Sequence, residues 1–421
     1  MADARNRAAA VRLDSEASNE PRGIDSRYAW LRLAAALTLS TIGGVGMWAV
    51  VVVLPRVQMD FGVARSDASL PYTLTMIGFG FGSIVLGRLS DRFGILVPLV
   101  IGTAALSLGF YAASYSSNIR LFTLAQGLLI GVGSSATFGP LLADASLWFK
   151  RRRGIAIAII ASGNYLAGTV WPPVVQHFID SVGWRDTYFA IGIFCVLSML
   201  PLAFVLKPHL AVNERTTSAV EWRSPHSFGL SPHALQVLLV IAGLACCVAM
   251  SMPQVHMVAY CGDLGYGPAR GAQMLSLMLG FGIVSRLTMG WVCDRIGGLR
   301  TLRLGSALQG VALLLYLPFD GLFSLYVISA LFGLFQGGIV PSYAIIVREF
   351  FSPKEAGTRV SVVLTATMFG MALGGWMSGA LFDWTGSYKA AFVNGLLWNL
   401  LNLSIASWLL YRRKVWRTAP A

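Results

Sequence analysis

Charge is scarce in this sequence. Only 12% of its 421 residues are Asp, Glu, Lys or Arg, about half the roughly 25% typical of soluble domains. That shortage excludes a soluble globular enzyme, a disordered regulator and a nucleic-acid-binding domain, although the formal net charge of +13 would otherwise suggest a nucleic-acid partner. Cysteine is equally sparse. Cys195, Cys246, Cys247, Cys261 and Cys293 form no CxxC pair, so neither a zinc site nor a disulfide framework is readable, and they read as small apolar packing residues. No cleavable signal peptide opens the chain. Residues 1–32 are polar, with six arginines and five acids, and read as a disordered cytosolic tail. There is no nucleophile triad, no HExxH, no phosphate-binding loop and no pair of carboxylates within an apolar run. An enzyme, an ATP-driven pump and a cofactor or metal are therefore not expected.

What is abundant is apolar residue. The chain is 56% hydrophobic before its 45 glycines are counted. A bilayer core takes about 20 apolar residues per helix, and twelve such runs occur, at 33–54, 70–88, 95–114, 119–143, 155–178, 188–206, 235–259, 271–290, 300–318, 322–347, 358–381 and 390–411. Nearly all are apolar on every side, as lipid-embedded helices are. The expected fold is an all-α membrane protein. Placing the N-terminus in the cytoplasm puts 25 Lys and Arg inside and only Arg56, Arg65, Arg120, Arg185, Arg270 and Lys389 outside. This bias predicts cytoplasmic N- and C-termini, in a plasma membrane or bacterial inner membrane. The run Lys150–Arg153 reads as an inside anchor, with a specific lipid site as the alternative.

Shifted by 203 residues, the chain meets itself. Seven glycines, among them Gly62, Gly94, Gly102 and Gly183, fall on glycines, here Gly265, Gly297, Gly305 and Gly386. Asp60, Asp91 and Asp180 fall on Asp263, Asp294 and Asp383, and Arg92 falls on Arg295. The expected organisation is a tail (1–32), a six-helix bundle (33–206), a polar cytoplasmic linker (207–234), a second six-helix bundle (235–411) and a short tail (412–421). Parallel repeats of this kind build transporters that rock around a site near the midplane.

The first inside loop of each half reads Gly87-Arg88-Leu89-Ser90-Asp91-Arg92-Phe93-Gly94 and Gly290-Trp291-Val292-Cys293-Asp294-Arg295-Ile296-Gly297. Both resemble the GxLxDRxG loop of the major facilitator superfamily. Glycine permits close helix approach and a tight turn, and Asp can cap a helix or pair with Arg across the gap between bundles. Gly87, Asp91, Arg92, Gly94, Gly290, Asp294, Arg295 and Gly297 are thus gate candidates, expected to hold the inner side shut in an outward-open state; a turn with a positive-inside anchor is the other reading. Trp148-Phe149 before the basic run, then Ala161-Ser162-Gly163, Trp171-Pro172-Pro173 and Gly183-Trp184-Arg185, resemble the series found in monocarboxylate porters and oxalate:formate antiporters. Val255–Tyr260 and Asp263–Tyr266 resemble bacterial members of that branch. The sequence also departs from it. Span 1 has no Lys, Gly282 stands where animal porters carry an Asp, Thr123 stands where proton-coupled exporters place an Arg before Gln126-Gly127, and residues 360–381 contain no cation. A clamp of two opposed cations is not supported.

The resemblance implies a secondary transporter for a small organic anion, a mono- or dicarboxylate, working as a monomer by alternating access. A proton or second anion is the possible co-transported or exchanged ion. A transport-inactive sensor on the same scaffold and a transporter for another small molecule are the alternatives. Arg286 is the leading binding residue: no acid occurs in residues 271–293, and an intramembrane cation faces a cavity and finds an anion. Its flat guanidinium matches a carboxylate; snorkelling toward the Asp294 loop is the alternative. Asn164, Tyr165, Trp171, Tyr72, Gln254 and His256 are further candidates. His256 reads either as a proton carrier or as a hydrogen-bonded interfacial residue, and Asp144 as a gate partner of the nearby basic run.

Overall fold

A computed structural model describes residues 25–149, 152–207 and 229–418. Most of the two tails and of the linker, together with Lys150 and Arg151, lies outside these. Among the described residues the chain is helical without strands, and eleven helical segments are long and apolar enough to cross a membrane. The remaining expected span, the ninth, forms as Gly298–Leu315, 18 residues. It carries Arg300 and Arg303 in its first turns, which dilute its hydropathy, yet it packs within the second bundle, where Ser306 meets Asn399 and Asn402 of Tyr388–Thr418. The helices outrun the apolar stretches by up to two turns. The second is Arg65–Phe93, the fifth Arg153–Val182, the seventh Pro232–Asp263, the eighth Pro268–Ile296 and the eleventh Pro353–Thr385.

Three spans expected as single runs are interrupted. The first divides into Arg27–Gly43 and Val45–Phe61 at Gly44. The fourth begins as an α-helix at Ile119–Leu124, widens to a π-helix over Ala125–Gly131, resumes for Val132–Ser135, turns, and continues as Gly139–Trp148. The tenth breaks between Leu322–Gln336 and Ile339–Phe350. Proline accounts for the last two breaks. Pro140 and Pro341 have no N–H for the carbonyls of Ala136 and Gly337 four residues earlier, and their rings displace them. The breaks in the first and fourth spans meet: a Cβ on Gly43 would fall on the Thr137 side chain.

The apolar core forms two clusters. One contains only residues of the first half. The other belongs mainly to the second half but also takes in Met47, Trp48, Val51, Leu54, Tyr72, Met76 and Tyr165 from the first. Two seams join the halves. The second span runs against the eleventh, with Ser69 beside Gly379, Tyr72 beside Gly375, and the Thr73 hydroxyl donating to the Ala372 carbonyl at 3.0 Å. The fifth span runs against the eighth, where the Ser276 hydroxyl donates to the Thr169 carbonyl.

Candidate functional site

Arg286 lies in the seam between the fifth and eighth spans. Its Nη1 donates to the carbonyl of Ala161, in the opposite half, at 2.8 Å. The guanidinium carbon sits 4.3 Å from the centre of the Tyr165 ring, within the roughly 6 Å range of a cation–π contact. Nε–H is buried without a partner, and among the described residues Arg286 forms no ion pair. The ring of Tyr165 occupies the space that a Cβ on Gly282 would need. Glycine at that position therefore admits the aromatic cover and places no acid one turn before Arg286. A buried, unmade donor on a charged group costs roughly 1–3 kcal/mol or more, so the guanidinium retains hydrogen-bonding capacity in its plane that no described residue uses.

Asn164 precedes Tyr165 on the same turn. Its carbonyl accepts from the Trp48 indole at 3.1 Å, while its side-chain Oδ1 is buried without a partner, close to Gly44 at the break in the first span. Arg286 and Tyr165 are thus brought together, while the Asn164 side chain faces the break in the first span. Trp171 is not part of this group in the same sense, since its one donor is spent on the Thr41 carbonyl at 2.7 Å within the first half. Gln254 donates to Gln336 Oε1 at 3.1 Å, both in the second half. Tyr72 packs on Gly375 in the other seam.

His256 is fully buried, and both ring nitrogens are engaged: Nδ1 lies 2.9 Å from the Tyr388 hydroxyl and Nε2 lies 2.8 Å from the Gly375 carbonyl. The carbonyl can only accept, so Nε2 carries the hydrogen and Nδ1 accepts from Tyr388. Tyr388 in turn accepts from Arg65 Nη1 at 2.7 Å. Arg65 was expected in an outside loop. It is instead 8% exposed at the start of the second span, paired with Asp263 at 2.9 Å and stacked on Phe382 at 4.4 Å. Asp383 accepts from the backbone N–H groups of Arg65 and Ser66 at 2.9 and 2.7 Å, capping that helix from the other half. This cluster, at the end of the bundle opposite the termini, was missed in the sequence.

Arg286 is also not alone as an interior cation. Arg32, assigned to the tail, is 2% exposed and pairs with Asp144 at 2.8 Å. Asp144 thus has a partner in the first span, while Lys150 and Arg151 of the basic run lie outside the described residues.

The two motif loops have the turns expected of them, with Gly94 at φ +79° and Gly297 at φ +84°. Their gate contacts are not made in this conformation. Asp91 and Asp294 are exposed and, among the described residues, form no hydrogen bond or ion pair, while a Cβ on Gly87 or Gly290 would meet open space. Arg92 and Arg295 lie over their neighbours Phe93 and Trp291.

The sequence model of the Major Facilitator Superfamily matches residues 36–321 and 274–421. The chain belongs to the major facilitator superfamily. It is accordingly a multi-pass membrane transporter and not an enzyme. It is 27% identical over 370 residues to Monocarboxylate transporter 13 of Rattus norvegicus, covering 83% of this chain and 86% of that one. It is also 27% identical over 344 residues to the MFS-type transporter YcxA of Bacillus subtilis, covering 78% and 82%. In fold it matches the nucleoside transporter NupG (TM-score 0.68, 13% identity, 91% and 99% covered) and a bacterial homologue of the lysosomal transporter Spinster (0.67, 15%, 93% and 97%). The superfamily's two-bundle plan is the one traced by the seams above.

Proposed function

We propose that this transporter moves a small organic anion, a mono- or dicarboxylate, by alternating access, and that Arg286 receives the carboxylate. One observation carries the reading: a guanidinium in the seam between the halves has an aromatic cover, an unmade Nε–H and no acidic partner. Its partner is then supplied by the cargo, and a group that touches both halves is placed to report the cargo to both. Tyr165 covers the guanidinium, and the unpartnered Oδ1 of Asn164, on the neighbouring position of the same helix, is proposed as a further polar contact for the cargo. The names of the monocarboxylate relatives point the same way. The motif loops are proposed to meet when the opposite end of the bundle opens. Both termini and the linker are assigned to the cytoplasm, on the division of basic residues.

The test is a thermal-shift screen of the purified protein against a carboxylate library, since a ligand that binds only the folded state raises its stability by mass action. Arg286→Ala is expected to abolish anion-dependent stabilisation while leaving the protein folded. Arg286→Lys should recover little, because an ammonium keeps the charge without the planar fork. Losing one or two charge-assisted hydrogen bonds of about 1.5–3 kcal/mol each corresponds to at least about a tenfold loss of affinity. Anion binding and flux at wild-type levels in Arg286→Ala would remove the carboxylate reading and leave a superfamily transporter of other cargo.

A further inference from the structure

We propose that His256 is a proton-binding site, and that taking up the proton releases the bundle at the end opposite the termini. The proton then sets how readily this end opens and is not carried across, since the closed form does not hold it; the inference rests on the alternating-access reading for its meaning but not on the identity of the cargo.

The argument begins with the hydrogen-bond chain. Beginning and ending in the second half and passing through Arg65 of the first, it runs Asp263, Arg65, Tyr388, His256, Gly375 carbonyl, with links of 2.9, 2.7, 2.9 and 2.8 Å. Every donor and acceptor in it has one assignment. Arg65 can only donate, so the phenol oxygen accepts from it and sends its own hydrogen to Nδ1. A second ring proton finds a poor site. It would bond to the Nδ1 lone pair and break the hydrogen bond from Tyr388. The new N–H would then have to share the phenol oxygen with Arg65, and the phenol hydrogen would lose its acceptor. Two cations would flank one hydroxyl.

The groups facing the ring offer no relief. On the seventh span itself are Tyr260 and Asp263, the latter held by Arg65. The second span contributes Arg65 and the phenol of Tyr72. The eleventh contributes Asp383, committed to two backbone N–H groups. The twelfth contributes Tyr388, followed by the exposed cation Lys389. The closed arrangement therefore holds a neutral imidazole.

When this end opens, Arg65 and the second span leave, and water reaches the ring. An imidazole in water takes its proton near pH 6.5. A proton that binds the open form and not the closed one must shift the balance toward opening. With that ordinary value the open-to-closed ratio rises about tenfold between about pH 8 and about pH 5.5, a window in which ordinary carboxylates stay ionised. No bond other than Nδ1–H is formed, and the proton comes from the solution on that side.

Spin labels at Met59→Cys and Trp384→Cys read the opening. These residues lie one in each half at the relevant end and are 65% and 84% exposed, while the five native cysteines are buried. In purified full-length protein in nanodiscs, the long-distance population should grow about tenfold relative to the short one between about pH 8 and about pH 5.5. His256→Gln, which can still donate to Gly375 and accept from Tyr388 but cannot hold a proton, should give the same distribution at both pH values. Tyr388→Phe, which frees Nδ1 in the closed form and keeps the Arg65–Asp263 pair, should shrink the response and provides the readout if His256→Gln does not fold. A wild-type distribution that ignores pH, or a full pH response in either variant, would overturn the proposal. Carboxylate-dependent stabilisation through Arg286 is a separate measurement. If it survives while the pH response fails, the proton site alone is lost; the converse outcome removes the anion reading alone.

Discussion

At the scale of single residues, the group around Arg286 turns on a glycine. Gly282 leaves room for the Tyr165 ring, and the ring lies over the guanidinium. An acid placed at 282 would stand four residues before Arg286 on one helix face, where opposite charges pair. Gly282→Asp is therefore expected to do two separable things: displace Tyr165, lowering the melting temperature of the ligand-free protein, and neutralise Arg286, abolishing its response to carboxylates. Adding Tyr165→Ala should restore much of the first and none of the second, as followed by thermal shift with and without anion. Arg286 was legible in the sequence because an arginine in the middle of an apolar run has few explanations. Arg65 was not. It sits at the edge of a run, beside a loop, and only Asp263 and Tyr388, 198 and 323 positions away, make it an interior residue. Hydropathy is local, and this burial is not.

At the scale of helices, glycines divide into those whose missing side chain this conformation requires and those where it does not. A Cβ on Gly337 would meet the Gly282 carbonyl and the Ser285 side chain of the eighth span, whereas one on Gly290 would meet nothing. Gly337→Ala should therefore destabilise the protein by an overpacking cost of about 1–3 kcal/mol, seen as a drop of several degrees in melting temperature. Gly290→Ala and Gly87→Ala should leave the melting temperature unchanged or slightly raised, since alanine is the better helix former by up to about 1 kcal/mol. They should nonetheless slow flux in proteoliposomes if, as proposed, the motif loops meet when the opposite end opens. Equal effects of Gly290→Ala on stability and on flux would argue against that state-specific role. The positions of the spans could be read from apolar runs, but the interruptions could not. Gly139-Pro140 and Gly337-Gly338 followed by Pro341 are the signals, and a count of apolar residues passes over both. The π-helical stretch at Ala125–Gly131 has no comparable mark in the sequence.

At the scale of the whole chain, the duplication was visible as coincident glycines and aspartates, and the structure shows what the aspartates do with it. In the first half Asp60 pairs with Arg185 at 2.9 Å. At the shift of 203 residues Asp60 falls on Asp263, but Arg185 falls on Tyr388. Deprived of a partner in its own half, Asp263 takes Arg65 from the other. An ion pair internal to one bundle has become a tie between two. That substitution was on the page of the sequence and is informative only once the pairing in the first half is known. The division of basic residues makes a further prediction at this scale: a cysteine at position 220, in the linker, should react with a membrane-impermeant reagent only after the cells are opened. Labelling from outside intact cells would invert the topology.

The cap that Asp383 places on the second span has a consequence of its own. Ala64, which stands at the capping position, offers no side chain for the purpose, so the first turn of that helix is completed by a carboxylate borrowed from the other half. What the two bodies share there is main chain, and main chain does not mutate. Drift or engineering in the first half can erase Arg65 and still leave two amide hydrogens directed at Asp383; a proline at position 66 would withdraw just one of them. The junction is therefore hereditary in only one of its partners, and a lineage that changed its cargo or its coupling ion could do so without having to invent a new way of shutting that door.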